Sequence, residues 1–173
     1  NIPIMIQDAP LSGVNLSVSL LARIAKELPQ VSYFKIEAPG TAGKIRALID
    51  AAGDAITGPF DGEEGISLMA DLDAGATGTM TSALLPELIR PILENHLTGN
   101  RKEAEKLYSR VLPLINHENR QCGLRACKTV MYEGGVITSD AVRHPLEPLS
   151  SLAREELVRL ARDLDLIAIR WGR

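Results

Sequence analysis

Aromatic residues are scarce in this sequence. Phe, Tyr and Trp together make up 3% of its 173 residues, which leaves few platforms on which nucleic-acid bases could stack. Basic blocks are also missing, and the formal net charge is -3. Both absences argue against a nucleic-acid partner. Cysteine is nearly absent: Cys122 and Cys127 are the two, and their spacing is not CxxC. No His/Cys cluster stands nearby to complete a zinc site, so they read as free thiols of a reducing cytoplasm. No apolar run approaches the roughly 20 residues needed to span a bilayer, so no membrane partner is expected. The opening "NIPIMIQDAP" lacks the basic start and small-residue cleavage pattern of a signal peptide.

What is present is enough apolar residue, 45% of the chain, to build a substantial core. The first two thirds alternate. Residues 2–7, 31–37, 54–58 and 77–82 read as strands, and 17–28, 41–53, 63–75 and 85–97 as helices, the last interrupted by Pro91. Strands alternating with helices imply a parallel sheet. After residue 100 the pattern turns helical, over 101–121, 123–135 and 151–166, with a proline-containing connector at 138–150. Four strand–helix units form either a small open sheet or half of an eight-stranded barrel. The chain opens inside a strand, and a bare four-stranded parallel sheet would leave edges exposed. The expectation is the C-terminal half of a TIM (β/α)8 barrel over 1–100, followed by a helical segment over 101–173.

Side chains alternate faces along a strand. In "VSYFKIE", Phe34 and Ile36 share an apolar face suited to packing under helices. Tyr33, Lys35 and Glu37 share the other. Lys35 and Glu37 fall near the carboxyl end of the strand, the end that is catalytic in a parallel barrel. Gln7 and Asp8 arrive at the same rim from the first strand, Asp61, Glu63 and Glu64 from the third, and Thr81 and Ser82 from the fourth. A desolvated lysine can act as a free amine, attack a ketone and form a Schiff base. The alternative is a structural Lys35–Glu37 ion pair. Gly58 and Gly62 precede a helix, as in a phosphate-cradling loop, but the three carboxylates of that stretch, Asp61, Glu63 and Glu64, would repel phosphate. "NHENR" places His117 beside Glu118, and adjacent helical residues point apart, so no metal ligand set is expected.

"YFKIEAPG", "GEEGISLMADLDAGATGTMTS" and "AVRHPLEPLS" resemble, in order, three segments of the dihydrodipicolinate synthase and N-acetylneuraminate lyase superfamily. These are Schiff-base aldolases and dehydratases on a TIM barrel. The resemblance implies that the chain begins at the family's fifth strand and that Lys35 forms the Schiff base. It also implies a homotetramer and no metal or organic cofactor. Where the family has a proton-relaying tyrosine three residues before a proline, this sequence has Gln7 before Pro10. An amide cannot act as a phenol-type acid or base. That departure is similar to the dehydratases of short 2-keto-3-deoxy sugar acids. It implies Lys35 and Glu37 as catalytic residues, with Gln7, Glu63, Glu64 and Ser82 binding the 2-keto acid substrate. The alternatives are an aldolase that releases pyruvate and a non-catalytic ligand-sensing barrel.

Overall fold

The computed structural model describes residues 2–9 and 13–172. Its strands are β1 (Ile4–Asp8), β2 (Val31–Ile36), β3 (Gly58–Asp61) and β4 (Gly78–Thr79). They lie side by side in chain order, each pair parallel. The helices α1 (Val18–Glu27), α2 (Thr41–Ala52) and α3 (Leu68–Asp73) run between them, as the crossovers that parallel strands require. The chain divides into two compact units, Asn1–Thr81 and Ser82–Arg173.

In the first unit β2 sets the layering. Phe34 and Ile36 are fully buried on the strand that α1 and α2 pack against. Leu21, Ile45, Leu48 and Leu68 from the three helices are likewise fully buried. Each such side chain contributes about 1.5–3 kcal/mol. On the alternate positions Gln7 pairs with Lys35, Lys35 with Phe60, and Phe60 with Gly78. One residue from each strand thus stands in a single row. The Phe60 ring lies 6.3 Å from that of Tyr33. A Cβ on Gly78 would meet the ring at 3.1 Å and one on Gly58 at 3.0 Å, so both glycines make room for it.

Several element boundaries differ from the sequence expectation, each for a physical reason. Residues 54–58 do not form the third strand. Gly53, at φ 57°, ends α2, a 3-10 turn occupies Gly53–Ala55, and the strand follows as Gly58–Asp61. The helix expected at 63–75 is only Leu68–Asp73, because Glu64 and Gly65 have positive φ values of 58° and 86° that no α-helix can contain. The fourth strand is cut from 77–82 to Gly78–Thr79; within the described sheet it has one neighbour.

The second unit is helical: α4 (Pro86–Leu97), α5 (Arg101–His117), α6 (Arg125–Glu133), α7 (Ser151–Asp163) and α8 (Ile167–Arg170). Pro91 does not interrupt α4, which is continuous around it. The helix expected over 101–121 instead becomes a π turn at Glu118–Cys122. Arg154 holds the later helices together. It donates to Glu133 at 2.8 Å and Asp140 at 2.5 Å and lies over the Tyr132 ring. Among the described residues no helix is long and apolar enough to cross a membrane.

Asp8 is not at the rim beside Gln7. The alternation of β1 turns its side chain the other way, where it is 1% exposed and 2.5 Å from Lys44 of α2. Lys44 also donates to Leu16 O at 2.6 Å and Asn15 Oδ1 at 3.2 Å, and Leu16 N donates to Asp8 Oδ1 at 3.3 Å. This pair therefore pins the chain after β1 to α2. Removing one partner of a buried pair leaves an uncompensated charge, so Lys44→Met should destabilise the protein by about 3–5 kcal/mol. Denaturant unfolding measures this, and an unchanged midpoint would show that the pair is not an anchor.

Candidate active site

β2 delivers Lys35 and, one residue past its end, Glu37 to the face opposite Phe34 and Ile36. Lys35 Nζ lies 3.3 Å from Glu37 Oε2, and Gln7 Nε2 donates to that same oxygen at 2.5 Å. Gln7 reaches it because it is the register partner of Lys35 across the β1–β2 ladder. The Lys35 and Glu37 side chains are 16% and 22% exposed, so both remain reachable from solvent.

The turn after β3 closes over this cluster. Gly62 N donates to Ile36 O at 2.8 Å. A Cβ on Gly62 would stand 2.7 Å from Ile36 O and 2.8 Å from Lys35 Cγ. Only a glycine lets the turn cross the lysine stem this closely. Glu64 sits two residues on at φ 58°, a left-handed conformation that costs a non-glycine residue roughly 1–2 kcal/mol. Burial raises the pKa of its carboxyl, the Lys35 ammonium lowers it, and the charges of Glu37 and Asp61 raise it. Glu64 therefore shares one electrostatic environment with Lys35 and Glu37.

The sequence-predicted residues separate on this geometry. Gln7, Lys35, Glu37 and Glu64 come together in the first unit. Glu63 belongs to the same turn, but its charge acts on Asp71 of α3. Asp61 does not face the rim. It is fully buried and accepts from Glu63 N at 2.9 Å and Thr79 Oγ1 at 2.5 Å. Ser82 opens the second unit, where its hydroxyl accepts from Leu84 N at 3.3 Å. Pro10 lies outside the described residues. Gly62 was legible only as a loop glycine; its contact with the Lys35 stem depends on the β2–β3 register and has no local signal.

Among the described residues no cluster of three or more His, Cys, Asp or Glu side chains is arranged to hold a metal ion. His117 Nε2 meets Ala153 O at 3.0 Å. Cys122 is buried, and burial pushes its thiol up to about 11, which makes it a poor nucleophile. What the cluster can do is present an amine, two carboxyl groups and an amide to one small polar molecule.

Known proteins share this arrangement of sequence and fold. The dihydrodipicolinate synthetase family matches over residues 1–164. L-2-keto-3-deoxyarabonate dehydratase of Azospirillum brasilense is 56% identical over 171 residues, 99% of this chain and 55% of that protein. A 4-hydroxy-tetrahydrodipicolinate synthase of Syntrophobacter fumaroxidans is 29% identical, over 95% of this chain and 55% of its own length. The crystal structure of dihydrodipicolinate synthase from Rhodopseudomonas palustris superposes with a TM-score of 0.82 at 28% identity, covering 92% of this chain and 55% of that one. The Aquifex aeolicus enzyme gives 0.86 at 20% identity, a likeness of fold alone, over 96% of this chain and 56% of that one. The chain thus spans about half the length of the relatives it matches, and its sheet is a fragment of their TIM barrel. On the family match and the shared fold together, the chain belongs to the dihydrodipicolinate synthetase family.

Proposed function

We propose that this chain carries the Schiff-base half of a hydro-lyase that dehydrates L-2-keto-3-deoxyarabonate to 2-oxoglutarate semialdehyde. The observation that carries this reading is the Gln7–Glu37–Lys35 cluster, with Glu64 in the same field. Taking two charges out of water costs about as much as their attraction returns, so stability gives little reason for a strand to hold these charges. The 56% identity with the Azospirillum dehydratase supplies the substrate class. On the same reading residues 1–100 are the C-terminal half of the barrel and 101–173 a helical segment. The whole protein is then a cytoplasmic homotetramer.

In this mechanism the Lys35 amine condenses with the C2 ketone and releases water. The iminium acidifies the C3 protons, and Glu37 removes one to give an enamine. The enamine expels the C4 hydroxyl as water, protonated by Glu64. C5 and its hydroxyl then each lose a proton while C3 and C4 each gain one, which leaves the aldehyde, and imine hydrolysis regenerates the amine. The first water is returned at hydrolysis, so the net change is the loss of one water. Gln7 orients Glu37 and the substrate, in place of the family's tyrosine. Glu63 contacts a substrate hydroxyl. No step calls for a metal or an organic cofactor, because the iminium is the electron sink.

Borohydride reduction of the full-length protein with the sugar acid should leave a substrate-derived adduct on the peptide holding Lys35, and Lys35→Ala should abolish turnover. A folded protein with no adduct would return Lys35–Glu37 to a structural ion pair and favour a ligand-sensing barrel. Pyruvate among the products would instead support the aldolase. Glu37→Gln should lower kcat by about 10²-fold or more, the usual scale of general acid–base help.

Gly62→Ala should leave a folded protein that traps little substrate, since the new methyl would displace the Lys35 stem; normal trapping would remove this contact from the mechanism. Glu64 must hold a proton to protonate the leaving hydroxyl. Burial raises its pKa, so its proton persists to higher pH than that of an ordinary carboxylate. The rate should fall as pH rises through that raised value. Glu64→Gln should remove this dependence along with most of the activity, and an unchanged pH profile in the variant would assign the acid elsewhere.

A further inference from the structure

The turn that presents Glu64 is held from below by Asp61, and Asp61 is held in turn by a residue the reaction does not use. Asp71, on α3, is fully buried. One of its oxygens, Oδ2, accepts from Ser67 Oγ at 2.7 Å. The other, Oδ1, is buried and meets no donor. Asp61 is fully buried too, at the end of β3, the strand that α3 packs against, and a side-chain hydrogen bond to it is among the influences that raise the Asp71 pKa. A hydrogen bond between two carboxyl groups requires a proton on one of them. Asp61 already accepts at both oxygens, from Glu63 N and from Thr79 Oγ1, which leaves the proton to Asp71.

We propose that Asp71 is a positioning residue whose protonated carboxyl donates to Asp61. That bond fixes the Asp61 oxygen holding Glu63 N, and so sets the 62–65 turn over Lys35. The role of this turn in the site rests on the function proposed above. Burial, more than any charge, pushes Asp71 up to about 6, the Ser67 hydrogen bond opposes it, and the carboxylates of Asp61 and Glu63 add to it. The proton is therefore held where an ordinary aspartate would have lost it. Two buried carboxylates in contact with no proton between them would repel each other and free the turn.

Two variants of the full-length protein separate the hydrogen bond from mere packing. Asp71→Asn keeps a donor in the same shape; Asp71→Leu keeps the volume and removes it. Read about one pH unit below the value near 6, where most Asp71 carboxyls hold their proton, amide exchange at Glu63 should rise about tenfold or more in Asp71→Leu. It should stay near the wild-type rate in Asp71→Asn. With the sugar acid as substrate, Asp71→Leu should lose on the order of 10²-fold in kcat, the scale of a misplaced catalytic group. Asp71→Asn should restore most of it. Equal exchange in both variants, or no rescue by Asn, would overturn the proposal. Should Asp71→Leu not fold, infrared difference spectra still decide. Wild type minus Asp71→Asn should contain the C=O stretch of a protonated carboxyl, and its absence would refute the shared proton. The exchange and infrared readings need no substrate. A wild-type protein inert toward the sugar acid would therefore sink the proposed function while leaving this inference to be judged by itself.

Discussion

The two-residue period of β2 is the constraint on which the rest of the structure depends. Phe34 and Ile36 are fully buried beneath the helices, and that burial fixes which way the strand faces. A shift of one residue would drive Lys35 into the helix layer and expose Phe34, exchanging several kcal/mol of apolar burial for a buried charge. The hydrophobic core therefore delivers Lys35 and Glu37 to the opposite face. Parallel pairing on both sides then adds Gln7 and Phe60 to the row. The reactive groups need no positioning energy of their own along the strand.

Across the strands the site depends on a turn that stores strain. Glu64 occupies the left-handed region, and Gly62 crosses the Lys35 stem at a distance that excludes a side chain. Strain of this kind persists only where surrounding bonds over-determine the conformation. Here Asp61 does so, gripping Glu63 N on the turn and the Thr79 hydroxyl on the next strand. A second anchor, Asp8 with Lys44, secures the chain after β1. Two aspartates at strand ends thus serve as ties for the segments that carry or flank the site.

Membership of the dihydrodipicolinate synthetase family sets the meaning of the one substitution that stands out. An amide at Gln7, where the family resemblance implies a tyrosine, can orient groups but cannot carry a proton between them. In the proposed dehydratase the proton work therefore falls to carboxyl groups. Glu37 and Glu64 are held in unlike surroundings: one accepts from Gln7 and pairs with Lys35, the other is raised by burial. A carboxyl whose pKa burial raises suits the acid, and Glu37, beside the amine that would carry the imine, is placed to serve as the base.

The sequence alone determined the alternation of strands and helices, the face carrying Lys35 and Glu37, and the departure at Gln7. All are local properties: apolar residues at periods of two or near four declare which side is buried, and a motif is read along the chain. Tertiary structure alone decided that Asp8 and Asp61 turn inward as ties, that Gly62 cradles the lysine, and that Glu64 shares the field of Lys35. Those outcomes depend on partners far along the chain. Lys44 stands on a different helix from the Asp8 strand, and Thr79 on a different strand from Asp61. A carboxylate at the end of a strand looks the same in sequence whether it meets substrate or a buried donor. Only the register of neighbouring strands and the seating of the helices distinguish the two.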